Sequence, residues 1–464
     1  MSDRMDEFDV VIIGGGPGGY VCALRAADLG KSVALIEARE IGGTCLNRGC
    51  IPTKALLRCA EVYQLMKRSA DFGVFIENPS YDLETIHKRK EEVVGKLRSG
   101  VEFLLKKRNV SVIRGYGKLL DRETIEINSD AGKKTIKTKN IVIATGSEPA
   151  LLFNPDGKNV LTSDHTLELK EIPESLVIIG AGPIGVEFAT YFSTFGTKVT
   201  VVEMLEKVLP ALCAKDPKIE AIFRRGLRGR GIDVKTGTKI EKIEVKREGK
   251  VISTLSDGET LESEKVLVSI GRKLNSSGFG LEEVGIKMER GRILVDEKLR
   301  TNVPNIYAIG DVIGGAMLAH EAEKEGEVAA EVIAGLDRKM DYGVIPCAVF
   351  SHPEFACVGL CEFVAQERGI ETIVGESRFG ANGKALCLGE AEGLVRIVTD
   401  ANTKKIVGSQ IYGPEASVMI SEIAVAMNNR LKVDDLAGTI HVHPTLAEVV
   451  QEACRDAISK LADR

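Results

Sequence analysis

Two cysteines stand five positions apart in the segment Gly42-Gly43-Thr44-Cys45-Leu46-Asn47-Arg48-Gly49-Cys50-Ile51-Pro52-Thr53-Lys54. On an ideal helix that spacing turns the two side chains roughly 140° apart, at about 100° per residue. A disulfide needs Cα atoms about 4.4–6.8 Å apart, so a segment that joins them must be a distorted turn. Gly42, Gly43 and Gly49 supply the conformational freedom, and Pro52 suits the first turn of a following helix. A cysteine near a helix N-terminus has its thiolate stabilised, which is what redox exchange requires. Two plain buried cysteines, or half of a zinc site, are the other readings of the same pair. No second close-spaced Cys/His pair completes a metal site, and no metal is expected. Cys357 and Cys361 lie in an apolar stretch and read as core.

The elements that must position such a pair repeat once. Residues 8–13 read as a buried strand, and Gly14-Gly15-Gly16-Pro17-Gly18-Gly19 opens an apolar helical stretch that ends near Gly30. Residues 32–36 form a second strand, closed by Glu37. Later, 176–179 read as a strand, Gly180-Ala181-Gly182-Pro183-Ile184-Gly185 opens a helix, and 198–202 end in Glu203. Gly180, Gly185 and Glu203 each stand 166 positions after Gly14, Gly19 and Glu37. In such a loop the first glycine makes a tight turn and the second lets the backbone approach a pyrophosphate. The third allows close helix–strand packing, and the helix N-terminus meets the negative charge. Each glutamate suits ribose hydroxyls and repels a 2′-phosphate, and no arginine directly follows Glu203, so the second site should prefer NAD to NADP. Two dinucleotides in one chain suggest a relay between a flavin and a nicotinamide.

The bulk properties leave room for this chemistry. The 464 residues suggest about three domains. Charged residues make up 28% with net charge −5, so nothing draws the chain to nucleic acid or to a membrane surface. Ten cysteines are too sparse for a disulfide scaffold in so long a chain. Neither a signal peptide nor about 18 uninterrupted apolar residues is visible, and a cytoplasmic location is expected. The charge runs 88–92 and 106–108 read as solvated helix faces, and the arginine cluster 224–230 as surface.

The cysteine segment between two nucleotide fingerprints resembles the pyridine nucleotide–disulfide oxidoreductases, over nearly the whole chain. Further marks fall in order: Ala144-Thr145-Gly146, Gly271-Arg272, Ala308-Ile309-Gly310-Asp311, and His441-Val442-His443-Pro444-Thr445-Leu446-Ala447-Glu448. Leu274 stands where the family usually has proline, and Cys361 where it often has threonine. The resemblance implies an α/β fold with two Rossmann-like dinucleotide-binding domains and an α+β C-terminal dimerisation domain. Its implied boundaries are an FAD domain over 1–147, an NAD domain over 148–275, a central segment over 276–345 and an interface domain over 346–464.

For binding FAD and NAD it implies Gly14, Gly16, Gly19, Glu37, Thr44, Lys54, Gly117, Thr145, Gly146, Asp311, Ala319, Gly180, Gly182, Gly185, Glu203 and Gly271. Cys45 would be the thiol that exchanges with substrate and Cys50 the one against the flavin, the two forming the redox disulfide. His443 would be the acid–base, oriented by Glu448 across a turn into a helix, a pairing that suits proton transfer near neutral pH. Lys54 would sit by the flavin with Glu187 as its partner, whereas His441 reads as an interface residue and His320 as a helix-start residue. The implied activity is oxidation of protein-bound dihydrolipoamide with reduction of NAD. The implied partners are a second copy, which supplies His443, and a separate lipoylated carrier. A related reductase of another small thiol or metal ion, or a flavin- and NAD-binding redox sensor without turnover, are the alternative readings.

Overall fold

The computed structural model describes residues 6–212 and 216–463. The backbone gathers into two compact units. The first takes residues up to Leu56, with Asp82–Ala150 and Arg272–Asp341; the second takes Leu57–Tyr81, Leu151–Gly271 and the chain from Tyr342 on. Segments 1–147 and 276–345 thus fall largely in the first unit, except that 57–81 group with the second.

The apolar run of the first strand explains the first unit's centre. Val10, Val11 and Ile12 are all fully buried, so neither face of Glu7–Ile13 meets water, as in a parallel sheet covered on both sides. This strand pairs in parallel with Val33–Glu37 on one side and with the end of Gly132–Ile143 on the other. Ser111–Arg114 extends the sheet beyond Val33–Glu37, and Ile306–Ala308 joins Gly132–Ile143, again in parallel. The helix Pro17–Asp28 starts with proline in its first turn, where the missing N–H costs nothing, and packs on the helix Ala319–Ile333.

The second unit repeats this plan. Asp233–Thr236, Lys198–Glu203, Ser175–Ile179, Lys265–Val268 and Val160–Leu161 lie in that order, all parallel. Its C-terminal part is antiparallel. Cys347–Val349, Glu354–Gly359, Ile406–Gly413, Leu394–Asp400 and Thr372–Arg378 form a five-stranded sheet in that order, one face of which packs on Ala416–Asn428 and Glu448–Ala462.

Two expectations about charge need correction. Within the run 88–92, Lys90 is only 1% exposed, its Nζ 2.9 Å from Glu91 Oε1. The helix Leu83–Lys107 turns His87, Lys90 and Val94 inward together at three- and four-residue spacing, so one member of a charged run is carried under the surface. In the arginine cluster, Arg224 is half-buried and holds Glu220 Oε1 at 2.6 Å, and Arg230 is half-buried too, while Arg225 and Arg228 are exposed.

The most demanding polar contact is Arg396, 4% exposed in the third sheet. Its guanidinium donates to Glu376 at 2.9 Å, to Glu362 at 2.8 Å and to Asp216. Asp216 in turn caps the helix Pro217–Gly229 by accepting from the Lys218 N–H at 3.1 Å. A planar fork serves three carboxylates here, which a lysine cannot do. Removing it strands buried negative charge, at about 3–5 kcal/mol. Arg396→Met is therefore expected to lower the urea midpoint of unfolding markedly, and Arg396→Lys to rescue little of it. A midpoint unchanged in both variants would show that the cluster carries no stability.

Candidate active site: a cysteine pair on a nucleotide loop

The cysteines occupy two helices separated by a break. Cys45 lies in Gly43–Arg48, Gly49 ends that helix, and Cys50 is the first residue of Cys50–Lys67. Gly42 stands at φ +101°, the left-handed region that lets the first helix begin abruptly. Asn47 Nδ2 donates to the carbonyls of Ile41 at 3.0 Å and Gly43 at 2.9 Å, and the Thr53 hydroxyl donates to Gly49 O at 2.6 Å, so both sides of the break are tied down. The segment is also fastened to the first glycine loop. The Gly42 N–H donates to Gly15 O at 2.8 Å, and a Cβ on Gly43 would lie 2.6 Å from Gly16 Cα.

Both cysteines are thiols here. Hydrogen bonding with Cys50, then burial, pushes the Cys45 thiol far above its usual range, and the Lys54 charge opposes this weakly. Cys50, at the N-terminus of an 18-residue helix, has the environment that favours a thiolate. Thr44, in the first turn of the Cys45 helix, and Lys54, one turn along the Cys50 helix, flank the pair in the same unit.

The two glycine loops share one construction. A Cβ on Gly14 would lie 2.1 Å from Ala144 O and one on Gly19 would lie 1.9 Å from Gly14 O. In the second loop the same positions give 2.5 Å for Gly180 against Ser269 O and 2.1 Å for Gly185 against Gly180 O. These outer glycines are required by the protein's own packing. The middle ones are not: nothing lies within 4 Å of a Cβ on Gly182, and the nearest atom to one on Gly16 is 3.9 Å away. Open space at the middle glycine, beside a helix N-terminus, fits a pyrophosphate. The acids match as well. Glu37 accepts from the Gly15 and Arg39 N–H groups, each at 2.7 Å, and Glu203 from those of Ala181 at 2.8 Å and Leu205 at 2.9 Å. Each carboxylate is thus held at the strand end, where a ribose would meet it.

The remaining residues expected on the flavin side fall in the first unit. Thr145 Oγ1 donates to Asn275 O at 2.6 Å, and the Asn275 N–H donates to Gly146 O at 2.9 Å. Gly117 lies in the strand Tyr116–Leu119, where a Cβ would press on Ile13 and Ile36 at 3.3 Å. Asp311 sits in the one-turn helix Gly310–Ile313 and accepts from the Ser147 hydroxyl. Arg272 Nε lies 3.5 Å from Asp311 and donates to Ser147 Oγ at 2.6 Å. Glu325 accepts from the Gly310 N–H at 2.6 Å. Ala319 and His320 begin the helix Ala319–Ile333. Sequence reasoning assigned no role to Ser147, Arg272 or Glu325, although Arg272 was marked by its glycine neighbour; Glu325 looks like any polar residue of an amphipathic helix.

Glu187, Gly271, His443 and Glu448 belong to the second unit. Glu187 is buried in the helix Pro183–Thr194, and its Oε1 accepts from the Phe350 N–H at 3.1 Å. Gly271 stands at φ +123° where the unit ends. His443 Nδ1 lies 2.9 Å from Glu448 Oε1, and Glu448 Oε2 accepts from the Thr445 N–H at 2.8 Å. These two bonds hold the Glu448 carboxyl below its usual range, the backbone one more strongly. The His443 side chain is 80% exposed, and the apolar side chains of Ile440 and Val442 just before it in the chain are bare as well. His441, by contrast, is turned inward, with Nε2 2.8 Å from Glu422 Oε1. Among the described residues no cluster of three or more metal-ligating side chains is present, and no helix is long and apolar enough to cross a membrane.

Residues 8–326 match the family described as Pyridine nucleotide-disulphide oxidoreductase, and residues 345–454 match its dimerisation domain. A dihydrolipoyl dehydrogenase of Geobacillus stearothermophilus is 42% identical over 99% of this chain and 98% of its own. A mitochondrial one of Pisum sativum is 41% identical over 98% and 92%. Among solved structures, LpdA from Mycobacterium tuberculosis superposes with a TM-score of 0.91 at 29% identity, over 97% of this chain and 99% of that one. The HOCl-induced flavoprotein disulfide reductase RclA of Escherichia coli, in a Cu(II) complex, does so at 0.87 and 30%, over 98% and 100%. A redox-spaced cysteine pair on one dinucleotide loop, a second such loop and a C-terminal dimerisation domain thus place the chain in the pyridine nucleotide–disulphide oxidoreductase family.

Proposed function

We propose that the chain oxidises dihydrolipoamide, carried on a separate lipoylated protein, and reduces NAD, through opening and closing of a bond between Cys45 and Cys50. FAD, held along Gly14, Gly16, Gly19 and Glu37 with Asp311 and Lys54 nearby, would supply two-electron transfer between the dithiol and the nicotinamide. The observation that carries the reading is the unlike placement of the two cysteines, one inside a short helix and the other at the start of a long one.

The chemistry follows from that asymmetry. A substrate thiolate attacks Cys45 Sγ of the oxidised pair; the S–S bond breaks and Cys50 leaves as the stabilised thiolate. The second substrate thiol attacks the mixed disulfide, closing the lipoamide ring and releasing Cys45 as a thiol. His443 takes the proton of the first, attacking thiol, and the proton of the second thiol ends on Cys45. With Nδ1 engaged by Glu448, the neutral ring offers Nε2 as the base. Its exposure beside Ile440 and Val442 suits a surface that a second copy covers, so the working form is a homodimer in which that copy meets His443. Glu203, with both oxygens already filled by N–H donors, meets the nicotinamide cofactor's adenosine ribose. A pair that must cycle between thiol and disulfide suits a reducing compartment, in keeping with a cytoplasmic protein.

Steady-state assays of NADH formation from dihydrolipoamide test this directly. Cys45→Ser and Cys50→Ser should each abolish turnover while the fold, followed by circular dichroism, persists; full activity in either variant rules out the dithiol route. His443→Gln should lower kcat about 10²–10⁴-fold, and Glu448→Ala should follow in the same direction by a smaller factor. A near-wild-type rate in His443→Gln would place the base elsewhere. NAD should be preferred to NADP in kcat/KM by roughly a hundredfold or more, the scale of several kcal/mol for a like-charge clash. Equal use of the two cofactors would remove Glu203 from the ribose.

A further inference from the structure

Beyond the Cys45–Cys50 centre, we propose that Cys347 and Cys357 form a second dithiol pair, which a hydroperoxide converts to a disulfide. The two residues are directly opposed in the antiparallel pairing of Cys347–Val349 with Glu354–Gly359. Directly opposed residues point their side chains to the same face, with Cα atoms about 4.5–5.5 Å apart, inside the about 4.4–6.8 Å range of disulfides. Their Cβ atoms, at about 4.5–5.5 Å, must be drawn in toward the about 3.5–4.5 Å that the bond prefers. Such a bond can form and is readily reduced again, as a reversible device needs.

The surroundings separate this pair from the other cysteines. Strand Cys347–Val349 is the edge of its sheet, and both thiols are half-buried, within reach of a small oxidant. Cys22 and Cys454 are sealed in the core, where burial pushes each thiol up to about 12. Ala356 and Val358 face the hydrophobic core, so the alternation of the strand puts Cys357 on the opposite face. On that face the register continues from Cys357 to Gln410, then to Arg396 and Glu376. Gln410 is 2% exposed and its Oε1 has no hydrogen-bond partner. A buried orphan acceptor is costly, and a hydroxyl formed on the neighbouring Cys357 is a donor of the kind it lacks.

The steps balance. The Cys357 thiolate attacks one peroxide oxygen, the O–O bond breaks, and the alcohol or water leaves with a proton, giving Cys357 sulfenic acid. The Cys347 thiolate then attacks the Cys357 sulfur, the S–O bond breaks and water leaves. Two thiols are oxidised by two electrons and one hydroperoxide is reduced. The closing bond pulls on the strand that leads directly into Phe350, whose N–H holds Glu187.

The test uses the full-length, flavin-loaded protein exposed to hydrogen peroxide, with remaining thiols blocked by a maleimide. Cleavage after Glu354 separates Cys347 from Cys357. A dithiothreitol-sensitive peptide joining Cys347 to the 355–362 fragment is expected, with joint loss of maleimide labelling at both cysteines. The link should vanish in Cys357→Ala and survive in Cys361→Ala, both checked for native circular dichroism. Independent labelling of Cys347 and Cys357 at peroxide levels that fully oxidise Cys45 and Cys50 would overturn the proposal. So would a link from Cys347 to Cys361, or accumulation of Cys357 sulfinic acid with Cys347 still labelled.

Discussion

Two sulfurs can trade a covalent bond only when held within its reach, and a regular helix forbids this at a five-residue spacing. The break at Gly49 resolves the conflict and creates an inequality as well. Cys45 stays inside one short helix, while Cys50 begins a long one and gains the field of its N-terminus. A symmetric pair would leave the direction of exchange undefined. The asymmetric one gives the two sulfurs unlike settings, and the backbone contacts beside it hold that arrangement in place. The hydrogen bond from Gly42 to Gly15 and the contact of Gly43 with Gly16 weld the redox turn to a dinucleotide loop.

The two glycine loops show how one solution is used twice. In each, the outer glycines are spaces that the backbone itself fills, so their side chains are excluded whatever the ligand. Only the middle glycine leaves room for a bound group. Each acid at the strand end is fixed by backbone N–H donors from both sides, which keeps it oriented at the edge of the loop. In both loops the fold has thus positioned the carboxylate before any ligand arrives.

The C-terminal sheet divides its polar residues by task. One face packs on helices through an aliphatic core. The other carries the row from Cys347 through Gln410 to Arg396, ending in the carboxylates around the guanidinium. A buried charge with three partners resists sliding of strand against helix, because any shift leaves a desolvated carboxylate uncompensated. His443 stands on exposed chain just after the bare Val442, and Glu448 gives its ring a fixed orientation.

The local features were readable in the chain itself. Glycine positions, strand–loop–helix order, the cysteine spacing and the His443–Glu448 turn are set by backbone sterics and short-range geometry, which act within a few residues. The elements found at 7–13, 33–37, 175–179 and 198–203 fall within a residue or so of those expected. What escaped were contacts between positions far apart in sequence. Lys90 goes under the surface because of the helix face it occupies, and Cys357, expected in the core, stands half-buried opposite Cys347 through strand register. The Ser147 contacts to Arg272 and Asp311 and the Arg396–Asp216 contact likewise join positions more than a hundred residues apart, and the other carboxylates on Arg396 sit on a sheet face that alternation alone cannot identify. Short-range sterics are written residue by residue, whereas burial and charge pairing depend on which distant surfaces meet, and only the folded chain decides that.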